Sequence, residues 1–598
     1  TPQDVLRHVD YLCRPELEGR LTGSDGEQLA TSYVAAYFDS LGLQPAGDTG
    51  SWFQSFDFTS GVDLGEDNKL TLGDRSYRVQ EDWLPLAFSA TGDVPATEMV
   101  FAGYGISAPA EEGHPEYDSF VHLDVKDKWV VLFRYMPEGI SAEYRQHLSR
   151  FTSLRFKAML ARDKGARGLV VVSGPNSHVE KQLIPLRFDG SLSGSSLPVV
   201  TVTDAVCAEW VAAAGKDLRQ IQDTLDRGEM VMGFSLGDRK LAASIEINKI
   251  QQTGRNVLGV LRVADQPTSQ VVLVGAHVDH LGRGNSSSSL ARDEEADQIH
   301  VGADDNASGV AGMLEIAQYL SQLQKDGRLR AQRDILFAAW SGEELGLLGS
   351  SHFAKNLVPV IPHGHAEHGH AEQRPHAAVA NPHTTAGAKN PHTVSGTDGD
   401  ESSPANPHST HDASAGGNRL YPYIAACLNL DMVGRLDKQL VLQGIGSSSV
   451  WKGLIEQANV RIGLPITLQN DSYLPTDASV FFLRGVPILS AFTGSHSEYH
   501  TPRDTPDRLN YEGAAQTARL MALVARAVSM ETQPPDYIPQ EQSEQPRRAQ
   551  MRAYLGTIPD YAESDAKGVK LSGVQNGGPA AQAGVKGGDM IIELAGRK

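Results

Sequence analysis

Cysteine is nearly absent: Cys13, Cys207 and Cys427 are the only three in 598 residues. From an odd count without C-x-x-C spacing neither a disulfide framework nor a cysteine-ligated zinc site can be read, and the redox compartment stays undecided. Long apolar runs are missing too, since no stretch approaches the roughly 18 to 20 continuous apolar residues of a membrane helix. Basic residues are in deficit, 53 Lys and Arg against 73 Asp and Glu, for a net charge of −20. That balance offers no positive surface for nucleic acid or an anionic membrane. The opening TPQDVLRHVDYL has neither an initiator Met nor a charged-then-apolar leader, which suits a leader already removed.

What is present is a chain long enough for about four domains. With 40% hydrophobic residues, 59 Gly and 31 Pro, it is apolar enough to fold and rich in turns. Ser24 and Glu27 have capping-box spacing ahead of Ala30, Val34, Tyr37, Phe38 and Leu41, an apolar stripe at helical period that Gly42 ends. From about residue 96 to 240 the texture turns to short β-rich runs such as KWVVLFRY and GLVVVSG, with one helical stretch, FKAMLARDKGA. Between 256 and 530 the strand-like runs VVLVGAHVD, DILFAAW, IAACLNLDM and VPILSAF alternate with helical patterns such as Val310, Met313, Leu314, Ala317 and Leu320. This is an α/β domain. A tract of His, Ala, Gly, Ser, Thr and Pro at 362–419 interrupts it, and its composition is that of a disordered insertion. Residues 531–550 read as a linker.

Five short motifs in the α/β domain carry candidate chemistry. Gly275-Ala276-His277-Val278-Asp279-His280 ends an apolar strand, where residues i and i+2 share a face, so His277 can bind a metal while Asp279 holds its ring. Asp304, Asp305 and Asn306 lie in GADDNASG, where a turn enters the helix near Val310; helix capping is the alternative explanation. Glu343 and Glu344 follow DILFAAW, and adjacent carboxylates can divide the work, one on a metal and the other taking a proton. Asp431 follows another apolar strand, and Glu498-Tyr499-His500-Thr501-Pro502 follows VPILSAF. Singly, each fits a solvated strand end. Jointly, four candidates follow apolar strands, and open α/β sheets bind ligands beyond the carboxyl ends of their strands. A set of His, Asp, Glu, Asp and His offers only N and O donors, which suits a catalytic zinc pair.

In this set, across residues 1–95 and 245–530, the sequence resembles the zinc-dependent exopeptidases that include bacterial leucyl aminopeptidases and glutamate carboxypeptidase. The resemblance implies a mixed central sheet flanked by helices and two zinc ions. By the family pattern His277 and Asp431 hold one zinc, Glu344 and His500 the other, and Asp305 bridges both, ahead of a cis peptide bond to Asn306. It makes Glu343 the general base, Asp279 the partner of His277, and Tyr499 a donor to the developing oxyanion, against the alternative that Tyr499 simply packs. Asp304, His280 and His496 match no ligand position and read as caps or outer partners.

The implied domains are a first peptidase part at 1–95, an insert at 96–240, the catalytic part at 241–530, the linker and a C-terminal piece at 551–598. The insert resembles a protease-associated domain, which in this family roofs the cleft and restricts substrates; a passive structural insert is the alternative. The end of the chain, with Tyr554-Leu555-Gly556-Thr557, resembles the first half of a PDZ domain, whose loop receives a peptide C-terminus. Both modules point to an exported protein, periplasmic or secreted. The expected activity is hydrolysis of N-terminal residues from peptides. A carboxypeptidase is the alternative within the family, and a non-catalytic receptor or scaffold the alternative outside it.

Overall fold

A computed structural model describes residues 1–111, 113–186, 195–263, 269–284, 288–295, 297–357 and 420–540. It also describes short pieces of the C-terminal segment, at 557–559, 569–574, 580, 583–586 and 589–592. The His-rich tract at 362–419 and the Tyr554-Leu555-Gly556 loop lie outside the described residues.

The main sheet has nine strands: β1 (Gln44–Pro45), β2 (Phe53–Leu64), β3 (Ile247–Leu261), β4 (Val271–His277), β5 (Asp334–Trp340), β6 (Ile424–Leu430), β7 (Leu440–Gln443), β8 (Ile466–Leu468) and β9 (Ile488–Phe492). Their order is β1-β3-β5-β4-β6-β9-β7-β8, with β2 paired to β3. The four runs read as strands from their apolar texture, β4, β5, β6 and β9, are neighbours and mutually parallel, so their carboxyl ends share one edge. Each is buried on both faces, as continuous apolar runs require. Along β4, Val272, Val274 and Ala276 face one layer of helices, while Val271 and Leu273 face the other.

The first layer contains α1 (Pro2–Leu12), α2 (Asp25–Leu41), α3 (Gly309–Lys325) and, further along the chain, the helix Tyr511–Met530. Short helices at Leu348–Lys355 and Asp477–Phe482 contribute Phe353, Ala354, Ala478 and Phe481 to the opposite layer. In α2, Ser24 accepts the Glu27 N–H as the spacing predicts, and Gly42 ends the helix at φ 82°. The reciprocal half of the capping box is missing. The Glu27 carboxylate is buried and accepts instead from Gly23 N–H, Arg255 N–H and the Ser341 hydroxyl.

A second unit has its own two sheets and cores. Its six-stranded sheet runs Phe234–Ser235, Met99–Phe101, Trp129–Phe133, Gly168–Val172, Val199–Val202 and Trp83–Pro85. Its four-stranded sheet runs Arg75–Tyr77, Lys69–Leu72, Leu241–Ile245 and Gly92–Thr97. Lys69–Leu72, Arg75–Tyr77 and Trp83–Pro85 therefore pair within this unit, although they precede the expected junction at 95/96. The long ribbon of β2 and β3 ends at the pair Leu64 and Ile247, where the chain crosses between the two units.

The first part of the expected linker is docked rather than free: Tyr537 donates to the Phe482 carbonyl at 3.1 Å, and Asp536 accepts from Ser448 and Ser449. Near the C-terminus, strands Thr557–Pro559, Val569–Val574 and Met590–Ile591 form a small antiparallel sheet. Among the described residues no helix is long and apolar enough to cross a membrane.

Candidate metal centre

Four of the five candidate ligands follow the parallel strands, and Asp305 joins them from the turn that enters α3. His277 closes β4, with its Nε2 at 3.2 Å from Asp305 Oδ1 and 3.5 Å from Asp431 Oδ1. His500 presents its Nε2 at 3.2 Å from Asp305 Oδ2 and 3.2 Å from Glu344 Oε2. The two oxygens of Asp305 thus face different histidines, each in the company of one further carboxylate. The Asp305–Asn306 peptide is cis.

Both histidines are oriented from behind. Nδ1 of His277 faces the Asp279 carbonyl at 3.3 Å, and Nδ1 of His500 faces the Ser288 carbonyl at 2.9 Å. A carbonyl only accepts, so each Nδ1 carries a proton, and loss of the Nε2 proton to a cation would leave the Nδ1–H form with its lone pair aimed into the site. That is the tautomer a metal-ligating imidazole needs. Five N and O donors in this arrangement fit a pair of borderline divalent ions such as zinc.

His280 also reaches the second nest. Its Nδ1 lies 2.7 Å from Glu344 Oε1 and 3.9 Å from Asp305 Oδ2, and these three side chains could themselves hold an ion. Only His500, however, puts one nitrogen 3.2 Å from both carboxylates. His280 Nε2 is buried without a hydrogen-bond partner among the described residues.

The buried groups shift one another's protonation. Burial opposes charge on His277, yet Glu343, Asp305 and Asp431 outweigh it and hold the ring well above its ordinary pKa. Burial likewise opposes ionisation of Asp305, but hydrogen bonds from His277 and His500 keep it well below the usual carboxylate range. For Glu344 the same contest, with His500 the largest opposing influence, ends at about 2. Glu343 goes the other way: burial, with Glu344, Asp431 and Asp477 nearby, pushes it well above the usual range. Asp305, Glu344 and Asp431 crowd the two histidines, and once those rings are deprotonated cations would offset the carboxylates' charge.

Glu343 differs from Glu344 in its contacts. The Glu344 carboxylate is tied to His280 and His500, whereas that of Glu343 has no hydrogen-bond partner among the described residues. Its backbone is held instead, the Glu343 N–H donating to Asp279 Oδ1 at 3.2 Å. Asp279 is therefore more than a partner for His277. Its carboxylate stands 3.8 Å from His277 Nδ1, farther than its own carbonyl, while Oδ2 accepts from Thr22 at 3.0 Å. The Tyr499 ring stacks on His500 with centroids 3.8 Å apart, and burial together with the surrounding carboxylates keeps its phenol protonated.

Supporting residues outside the ligand set hold these loops, and of them Arg20 carries no signal in a single sequence. The Arg20 guanidinium, wholly buried, donates to the carbonyls of Leu12, Val278, Val301 and Gly302, joining the His277 loop to the approach to Asp305. Asn306 does act as a cap, its Oδ1 accepting from Gly309 N–H at 3.0 Å, but it also accepts from Met432 N–H and donates to the Leu430 carbonyl, so it flanks Asp431. Gly302, at φ 55°, lies against the Asp305 carbonyl and the His280 ring, where a Cβ has no room.

Residues 256–525 match peptidase family M28. Aminopeptidase YwaD of Bacillus subtilis (strain 168) is 33% identical over 269 residues, which are 45% of this chain and 43% of that protein. Aminopeptidase NAALADL1 of Mus musculus is 36% identical over 110 residues, 18% of this chain and 12% of that one. The chain thus spans less than half the length of either relative. The solved structure of a zinc aminopeptidase from Bacillus subtilis aligns over 90% of this chain and 98% of its own, at 17% identity and a TM-score of 0.43.

Proposed function

We propose that the chain is a two-zinc exopeptidase that removes N-terminal residues from peptides. The observation that carries this reading is Asp305, whose two carboxylate oxygens each lie 3.2 Å from the Nε2 of a different histidine. On this reading His277 and Asp431 hold one zinc, Glu344 and His500 the other, and Asp305 serves both. Zinc bound there supplies a Lewis acid for the scissile carbonyl and lowers the pKa of the attacking water.

The chain's own groups do the rest. Glu343, with its carboxylate uncommitted and its backbone gripped by Asp279, takes a proton from the attacking water. The water oxygen bonds to the carbonyl carbon, the C–N bond breaks, and Glu343 passes the proton to the leaving amine. Tyr499, held protonated, donates to the negative charge developing on the carbonyl oxygen.

An N-terminal rather than a C-terminal preference follows from charge. Among the described residues Arg435 is committed to Glu498 at 3.2 Å and Asp504 at 3.0 Å, Arg503 to Glu295, and Arg20 to backbone carbonyls, so none of these three is available for a substrate carboxylate. On the same reading the second unit is a protease-associated insert that limits access, the C-terminal strands belong to a PDZ-like segment that takes peptide C-termini, and the protein works outside the cytoplasm.

The test is a panel of free and N-blocked peptides assayed with zinc, alongside elemental analysis. Cleavage of free but not N-blocked peptides by protein holding two zinc ions is the expected result. Equal cleavage of both excludes the N-terminal preference, and activity without zinc excludes the metal reading.

A further inference from the structure

The last but one residue of the motif EYHTPRDT is a carboxylate that the proposed chemistry leaves without a task, Asp504. Its side chain is wholly buried. Oδ2 accepts from the backbone N–H of Asp304 at 2.8 Å and of Asp305 at 3.1 Å. Oδ1 accepts from Arg435 at 3.0 Å, and the Asp504 carbonyl accepts from Ala303 N–H at 3.1 Å. None of these partners is a donor atom of the candidate centre.

The contacts continue outward from both ends of that carboxylate. Asp304 Oδ1 accepts from Gly434 N–H at 2.6 Å and from the Ser308 hydroxyl at 3.0 Å, while Arg435 also holds Glu498 at 3.2 Å. Gly434 and Arg435 lie on the loop of Asp431, and Glu498 and Asp504 lie on the loop of His500. Asp504 therefore stands where three ligand-bearing loops meet. Two successive N–H groups aimed at one oxygen fix the peptide plane before Asp305, and with it the direction in which the Asp305 side chain leaves the backbone. Charge-assisted bonds of this kind, with a guanidinium on the other oxygen, are stiff and directional.

We propose that Asp504 is a positioning residue that sets the spacing of the two metal positions, by fixing the backbone from which their shared ligand Asp305 projects. The proposal rests on the two-zinc reading. It has a consequence that a partner of one ligand alone, such as the Ser288 carbonyl behind His500, does not have: loss of Asp504 acts on both metals together.

The experiment titrates the metal-free full chain with zinc against a competing chelator, and records the spin coupling of the same protein loaded with Mn(II). In Asp504→Asn two zinc ions still bind at saturation, both affinities fall about 10- to 100-fold, as for other outer partners of metal ligands, and the Mn–Mn coupling changes. A folded variant with unchanged affinities and coupling overturns the proposal, even if its melting temperature drops, because that is what a merely structural carboxylate predicts. Weakening at one site alone overturns it as well. Should Asp504→Asn fail to fold, Arg435→Lys carries the test. It keeps the charge but cannot hold Glu498 and Asp504 in the same two-armed way, so both affinities fall by a smaller factor, and unchanged affinities overturn the proposal. Wild-type protein that binds fewer than two zinc ions overturns the two-zinc reading itself, before any variant is compared.

Discussion

Replacing Glu343 by glutamine keeps the side chain's size and removes only its basic oxygen. No hydrogen bond of the Glu343 carboxylate is broken, because it makes none among the described residues, and the Glu343 N–H keeps its bond to Asp279. Zinc content is therefore expected to stay near two per chain. Losing a general base costs about 100- to 10,000-fold in rate, or roughly 3 to 5.5 kcal/mol of barrier, and this falls on kcat rather than KM. The metal-free protein carries a second signature. Burial and the neighbouring carboxylates raise the Glu343 pKa, so above the ordinary carboxylate range the folded state keeps a proton that the unfolded chain has released. Stability then falls as pH rises through that window, and Glu343→Gln makes the fall shallower. Glu344→Gln gives the opposite pattern, since its carboxylate meets His280 at 2.7 Å and His500 at 3.2 Å: metal is lost along with activity. Steady-state kinetics at saturating zinc, elemental analysis and thermal melts between pH 4 and 8 read all three quantities. If the two variants exchange these outcomes, ligand and base are reversed. Near-normal turnover in Glu343→Gln refutes the mechanism.

Asp305→Ala lowers occupancy at both metal positions in elemental analysis, and loss of a single zinc argues against a shared ligand. His300 is buried against Ser289, and burial depresses its pKa to about 4. Below its usual 6.5 the unfolded chain takes up a proton that the folded state refuses, so this contribution to stability is lost as pH falls from 6.5 toward 4. Urea melts of His300→Asn should show a shallower loss over that window, and an identical slope refutes the assignment. Lys157, fully buried in the second unit, donates to the carbonyls of Phe133, Arg134 and Tyr135 at 2.9, 3.1 and 2.7 Å. Lys157→Met leaves three acceptors without that donor and is expected to cost about 3 kcal/mol in chemical denaturation, and a cost below about 1 kcal/mol shows that other donors replace it.

The apolar runs ending at His277, Trp340, Leu430 and Phe492 were legible because a strand buried on both faces must be continuously hydrophobic, and its carboxyl end is then where polar residues can emerge. Helix α3 was equally legible from its period. Asp504 stood inside a recognised motif, but nothing local distinguishes a carboxylate that touches metal from one that holds a backbone. Thr22 and Arg20 had no signal at all, since a threonine or arginine between two helices is ordinary until the fold sets it against Asp279 or the Val278 carbonyl.

The same limit moved the junction of the second unit. The strands between residues 69 and 85 alternate like any others, and membership of a sheet is decided by partners far along the chain, Leu241 for Leu72 and Val200 for Pro85. Residue type, period and the order of motifs were thus enough to determine which side chains belong at strand ends and which donor chemistry they offer, because those properties are local. Which oxygen of Asp305 faces which histidine, which of two adjacent glutamates is left uncommitted, and which buried carboxylate joins the three loops were decided only by tertiary structure. Each depends on distances of about 3 Å between residues up to some 200 positions apart, and no local pattern encodes them.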